Sequence, residues 1–237
     1  MKYWERKEKL FKYIDGVRQF FPLAKEQLDI ISRIIEKYNP LINNFLDLGC
    51  GDGFLGRFIH ELYPDAHGVF LDGSKEMIER AKQKDLDGRC DFIIQDFGKD
   101  DWTNSIMSKE KFDLIISGYA IHHIENDKKK RLYNDIYQLL NPNGVFLNLE
   151  HVSSPTEKQE ELFSDLFDDG MMDYQRHIGV EKTKEEIKEM YHDPQHKKLN
   201  ILTPVEKQCD WFREIGFKEV DCHMKIFELA LFGGIKS

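Results

Sequence analysis

Leu46-Asp47-Leu48-Gly49-Cys50-Gly51-Asp52-Gly53 is the stretch from which the fold is read. Phe45 to Leu48 is too short for a helix and reads as a buried strand. Glycines at 49, 51 and 53 let the chain turn sharply and let a ligand approach the main chain. Phe54 to Leu62 then reads as a helix, which makes the stretch the turn of a strand–helix unit. The same grammar continues downstream. His67 to Leu71 is a second strand, and Ser74 to Lys84 a helix with Ser74 as its N-cap. Cys90 to Ile94 and Phe112 to Ser117 are the third and fourth strands. Asp127 to Leu140 is a helix, Pro142-Asn143-Gly144 a turn, and Val145 to Leu149 a fifth strand. Apolar strands alternating with helices predict an α/β fold, a doubly wound and mostly parallel sheet covered on both faces.

The flanks read differently. Tyr3 to Tyr13 and Leu23 to Tyr38 are predicted helices, the second ended by Asn39-Pro40. Residues 155–202 show no strand, many charges, and helical segments at Glu160 to Phe167 and Lys182 to Met190. Thr203-Pro204 opens a helix that Gly216 stops. Lys218 to Met224 and Ile226 to Phe232 should pair as an antiparallel hairpin. The expected organisation is an N-terminal helical cap over 1–40, a Rossmann-like domain from 41–152 and 203–237, and a helical lid over 153–202.

Composition sets limits. The 237 residues carry a net charge of −9, which denies the chain the broad positive field of a nucleic-acid binder. No apolar run approaches the roughly 18 residues of a membrane span. Met1 to Phe11 is charged and lacks the apolar core of a secretory signal, so a cytoplasmic protein is expected. Cys50, Cys90, Cys209 and Cys222 form no C-x-x-C pair, which argues for reduced thiols rather than a zinc knuckle.

Gly51-x-Gly53-x-x-Gly56 satisfies the dinucleotide fingerprint, and Asp72 ends the second strand where an acid would hold ribose hydroxyls. Two ligands fit: a nicotinamide dinucleotide and S-adenosylmethionine. The register separates them. Asp47 sits before the first glycine, where a carboxylate would repel a pyrophosphate and suit an amino group.

At this point the chain resembles the class I S-adenosylmethionine-dependent methyltransferases, from about Leu41 to Phe232. Five segments match in order: the Leu46–Gly53 loop, Val69-Phe70-Leu71-Asp72-Gly73-Ser74 with Met77, Gln95-Asp96-Phe97, Phe112-Asp113-Leu114-Ile115-Ile116-Ser117, and Leu140-Asn141-Pro142-Asn143-Gly144-Val145. The resemblance implies seven strands with the last antiparallel, and S-adenosylmethionine as cofactor. It places Gly49, Gly51 and Gly53 at the methionine end and Asp47 near its amino group. Asp72 would take the ribose, Gly73 and Met77 would flank the adenine, and Asp96 would accept from the adenine amino group with Phe97 beside the ring. Gly118 and Tyr119 would border the sulfonium.

Methyl transfer needs position and, for a protonated acceptor, a base. Candidates at the ends of strands four and five are Tyr119, His122, His123, Glu150 and His151. The insertion adds Asp168, Asp169, Asp173, Tyr174, Arg176, His177, Tyr191, His192 and His196. These lack a tight ligand motif, so no metal is expected and a polar lid is the simpler reading. Tyr13 and Arg18 are candidates to reach the cofactor or substrate. Leu162, Phe163, Leu166 and Phe167 form an apolar face expected in the core.

A small domain with a lid and no appended module suits a small-molecule acceptor and a monomer or homodimer. The element order also resembles the carboxy-S-adenosylmethionine synthases of tRNA modification, which hold the extra carboxylate with an arginine in the helix before the last two strands. Trp211 stands there, with Arg213 two residues on. The Asn/Asp-Pro-Pro-Tyr run of DNA adenine methyltransferases is absent; Ser117-Gly118-Tyr119-Ala120 occupies its place. A protein that binds the cofactor without turnover, and a nucleotide-dependent oxidoreductase, are the remaining alternatives.

Overall fold

The computed structural model describes residues 22–84, 88–106, 110–191 and 199–237. The predicted helix at Tyr3 to Tyr13, with Tyr13 and Arg18, and His192 and His196 in the insertion, lie outside the described residues.

In chain order the elements are α1 (Ala24–Tyr38), β1 (Asn44–Leu48), α2 (Phe54–Leu62), β2 (His67–Asp72), α3 (Lys75–Gln83), β3 (Cys90–Ile94), β4 (Phe112–Gly118), α4 (Asn126–Leu139) and β5 (Leu140–His151). They continue as α5 (Glu157–His177), α6 (Lys184–Tyr191), α7 (Val205–Ile215), β6 (Lys218–Ile226) and β7 (Leu229–Ile235). The seven strands form one sheet in the order β3-β2-β1-β4-β5-β7-β6. β1 to β5 pair in parallel, and β7 runs antiparallel to both β5 and β6. The sequence predicts this doubly wound architecture and its closing hairpin.

Side-chain alternation along each strand builds two cores. On β1, Leu46 and Leu48 face a cluster with Leu132, Tyr133 and Ile136 of α4 and Phe212 of α7. Phe45 faces the other cluster, with Leu28 and Ile31 of α1, Phe58 of α2 and Ile78 of α3. Local signals fix the helix ends. The Ser74 hydroxyl accepts from the Met77 N–H at the start of α3, and Gly216, at φ 118°, ends α7.

Two expectations are corrected. The Pro142-Asn143-Gly144 turn is not a break before β5 but an irregularity within it. Asn143 takes φ 63°, and the β4–β5 register shifts between Phe112 and Leu114. The apolar face of α5 is only partly core: Phe163 is buried, whereas Leu162 is 53% exposed. No described helix is long and apolar enough to cross a membrane.

Candidate functional site

Strand order reverses between β1 and β4, so the connections that leave their carboxyl ends run in opposite directions and leave a crevice. The glycine loop fills one side of it. The Gly49 and Cys50 N–H groups both donate to the Leu71 carbonyl, at 2.8 and 3.0 Å. Asp72 then ties the loop to the next helix: Oδ2 accepts from the Gly51 N–H at 2.9 Å and Oδ1 from the Ser74 N–H at 2.8 Å. A carboxylate oxygen holds two lone pairs, so both can accept a further hydrogen bond. Asp96, exposed on the loop after β3, accepts from the Gly98 N–H at 2.8 Å.

These groups line a cleft of about 1120 Å³. Gly49, Gly51, Asp72, Gly73, Met77, Asp96 and Phe97 form one wall, and Gly118, Tyr119, His123 and Ile201 are on its rim. Gly49 and Gly51 both have positive φ, but their surroundings differ. A Cβ on Gly49 would collide with Ala120, while one on Gly51 would meet nothing within 4 Å. The second glycine therefore presents bare backbone to open space. Gly53 does not line the cleft. It sits at φ 80° as the residue before α2.

Asp47 is also outside the cleft. Period-two alternation turns it to the α1–α2 side of the sheet, where it is buried and accepts from the Gly56 N–H at 2.7 Å. Burial pushes its carboxyl up to about 7, against the pull of the Gly56 N–H and Arg57. It lines a small side cavity with Gln27, Gly49, Gly118 and Tyr119.

Tyr119 joins the compartments. It holds φ 52°, a left-handed conformation costly for an aromatic residue. Its N–H donates to the Leu149 carbonyl at 2.7 Å, and its hydroxyl to Gln27 Oε1 at 3.3 Å. The residue borders the cleft, the side cavity and a further cavity of about 510 Å³.

His122 and His151 line that further cavity, and each is held by a buried carboxylate. Glu150, 1% exposed, accepts from His122 Nδ1 at 2.6 Å, from the His122 N–H at 3.0 Å and from the His151 N–H at 2.7 Å. Glu228, also buried, meets His151 Nε2 at 2.8 Å and accepts from the Ser154 N–H at 3.2 Å. The two rings are 5.6 Å apart, edge to face. In a neutral imidazole one nitrogen donates and the other accepts, so a ring whose N–H faces a carboxylate has its lone pair on the other nitrogen. His123 lies on the cleft side, its ring 3.9 Å from that of His122. Burial and the neighbouring His122 lower its pKa.

A buried lysine anchors the rim. Lys129 of α4 donates to the Ile201 carbonyl and to Thr203 Oγ1. Burial lowers its pKa to about 8. The Ile201 N–H in turn donates to the His122 carbonyl at 2.7 Å.

The other predicted residues fall elsewhere. Trp211 belongs to the core beside Tyr133, and Arg213 is exposed and paired with Asp210. Asp173 and Arg176 pair with each other on the exposed face of α5, and Asp169 meets Lys184 of α6. Asp168 is buried. Tyr174 and His177 line neither the cleft nor the 510 Å³ cavity. Among the described residues, no group of three His, Cys, Asp or Glu is placed to hold a metal ion. Two contributors escape a sequence reading. Gln27 lies on the buried face of α1, and Glu228 sits in the tight turn between β6 and β7. Only strand order brings that turn against His151.

The profile of the family described as "Methyltransferase domain" matches residues 43–198. The carboxy-S-adenosyl-L-methionine synthase of Nautilia profundicola is 25% identical, over 97% of this chain and 96% of that protein. Malonyl-[acyl-carrier protein] O-methyltransferase 2 of Ilyobacter polytropus is 29% identical, over 53% of this chain and 45% of its own length. Among solved structures, human N-acetylserotonin methyltransferase in complex with S-adenosylmethionine superposes with a TM-score of 0.59 at 17% identity. That match covers 99% of this chain, which spans 57% of the longer human one.

Proposed function

Because the chain belongs to the methyltransferase-domain family, we propose that it transfers the sulfonium methyl of S-adenosylmethionine to a small-molecule acceptor by in-line displacement. When bound, the cofactor supplies a methyl already activated on a positive sulfur. The cleft suits it: the open backbone at Gly51, the acceptor carboxylates of Asp72 and Asp96, and the apolar Met77 and Phe97 match its polar and aromatic parts. In this reading Asp72 holds the ribose hydroxyls, Asp96 the adenine amino group, and Gly118 and Tyr119 border the sulfonium. Asp47 acts from the side cavity toward the amino group.

The observation that carries the reading is the meeting of the cleft and the histidine-lined cavity at Tyr119. A methyl donor in the first would face an acceptor in the second. His122 and His151 are the bases of choice, because each has one ring nitrogen held by a carboxylate and lines the acceptor side. His123 borders the cleft and packs on His122, a positioning role. The free cysteines fit a reducing cytoplasm.

The full-length similarity to a carboxy-S-adenosyl-L-methionine synthase favours a second reading, in which the cofactor is carboxylated. Trp211 in the core, where the resemblance puts the carboxylate-binding arginine, weighs against it. Transfer of labelled methyl from S-adenosylmethionine into a metabolite extract tests the first reading. His122→Ala or His151→Ala should slow turnover by about 10²- to 10⁴-fold. Unchanged rates in both would remove the base role.

A further inference from the structure

A short strap, residues 199–203, runs between the two compartments. Its side chains alternate as in an extended chain: Ile201 lines the cleft, and Asn200 and Leu202 line the 510 Å³ cavity. Backbone bonds tie it to the loop after β4 and to the chain leaving β5. The Ile201 N–H donates to the His122 carbonyl at 2.7 Å, and the Ser153 N–H donates to the Thr203 carbonyl at 3.3 Å. The remaining tie is a cation. Lys129 of α4 is 1% exposed, and among the described buried residues it is the only lysine or arginine. Its ammonium donates to the Ile201 carbonyl, to Thr203 Oγ1 at 3.0 Å and to Asn126 Oδ1 at 3.4 Å. Three donors meet three neutral acceptors. Taking an ammonium out of water is costly, and packing alone would be served as well by an apolar side chain. What the ammonium adds is direction: it fixes two strap residues against α4.

We infer that Lys129 is a positioning residue, which holds the 199–203 strap as a common wall so that cofactor in the cleft also sets the shape of the 510 Å³ cavity. The inference rests on the methyl-transfer reading above and deepens it by naming a residue that acts on both reactants without touching either. Cofactor would press on the Ile201 face of the strap and the acceptor on the Asn200 and Leu202 face. A strap pinned at Ile201 and Thr203 passes contact on one face to the other, whereas an unpinned one yields locally. In-line transfer needs both reactants in near-attack geometry, and a shared wall places them together.

The test is residue-resolved amide exchange by NMR on the whole chain, with and without saturating S-adenosylhomocysteine, for the wild type and Lys129→Met. Three amides report: Gly51 in the cleft, Ile201 on the strap, and Ser153, which lines the cavity and is not part of the cleft wall. In the wild type the ligand should slow all three at least tenfold. In Lys129→Met it should still slow Gly51, while its effect on Ser153 falls at least threefold. A lysine that merely stabilises the fold would speed Ser153 exchange in the variant and leave the effect of the ligand on it intact, and that result overturns the inference. If Lys129→Met does not fold, Thr203→Val takes its place, since it removes one acceptor of the ammonium and keeps the strap backbone. It too should cut the effect of the ligand on Ser153 at least threefold, and an unchanged effect overturns the inference. Gly51 reads the cleft separately. Ligand that slows Gly51 but not Ser153 in the wild type overturns the common wall alone. Ligand that slows neither overturns the cofactor reading and the inference with it.

Discussion

The carboxylates at the ends of β1 and β2 lie on neighbouring strands yet face different surroundings. Asp72 is half-buried in the cleft wall, and its backbone partners pre-orient both oxygens. Asp72→Ala should weaken cofactor binding by about 1.5–3 kcal/mol, the worth of a charge-assisted contact. Titration of the variant with S-adenosylhomocysteine checks this, and an unchanged affinity would mean that the ribose lies elsewhere. Asp47 is buried, with its pKa raised to about 7 from an ordinary 3.8. As pH rises from 4 to 7 the unfolded chain loses this proton and the folded chain keeps it. Stability therefore falls across that window and is level above it. Asp47→Asn still offers an oxygen to Gly56, so it should remove this slope and add on the order of 2–4 kcal/mol at pH 8. Urea unfolding of both proteins from pH 4.5 to 8 measures the difference. Asp72 is legible in the sequence because it ends an apolar strand before a turn, whereas the burial of Asp47 in a side cavity depends on α1 packing beside β1. Glu228 is not legible, because a glutamate in a two-residue hairpin turn looks solvated until β7 is known to pair with β5.

Elements whose signals are local are the ones the sequence places best. α2 needs only its glycine turn and apolar spacing, and α3 only Ser74 as cap; both fall where they are predicted. α5 fails because the depth of its apolar face depends on what packs over it, which no local pattern encodes. The glycine loop separates shape from binding. Gly49→Ala adds a collision with Ala120 to the strain of a positive φ, so it should cost about 1–3 kcal/mol of stability or more. Gly51→Ala has the strain but open space, so its stability loss should be smaller, while its methyl enters the cleft and weakens the cofactor. Thermal unfolding and a binding titration on the two variants test this reversal of ranks. Equal effects of both on stability and on binding would contradict it.

At the scale of the molecule, one sheet with a single reversal of strand order sets the geometry. The switch between β1 and β4 opens the cleft, β5 carries Glu150 and His151 beside it, and the antiparallel β7 returns the chain so that Glu228 lines the 510 Å³ cavity. Residues 199–203 lie between the two compartments. Ile201 lines the cleft and Asn200 and Leu202 the cavity, with Lys129 holding the strap from α4. The doubly wound sheet is readable from strand–helix alternation. The pairing of compartments across Tyr119 is not, since it also depends on contacts such as His151–Glu228 and Lys129–Ile201, more than 70 positions apart. Calorimetric titration of the chain with S-adenosylhomocysteine, with NAD as the parallel titrant, identifies the cofactor of the cleft. Micromolar binding of S-adenosylhomocysteine and none of NAD is the predicted result. Binding of NAD in preference to S-adenosylhomocysteine would contradict it.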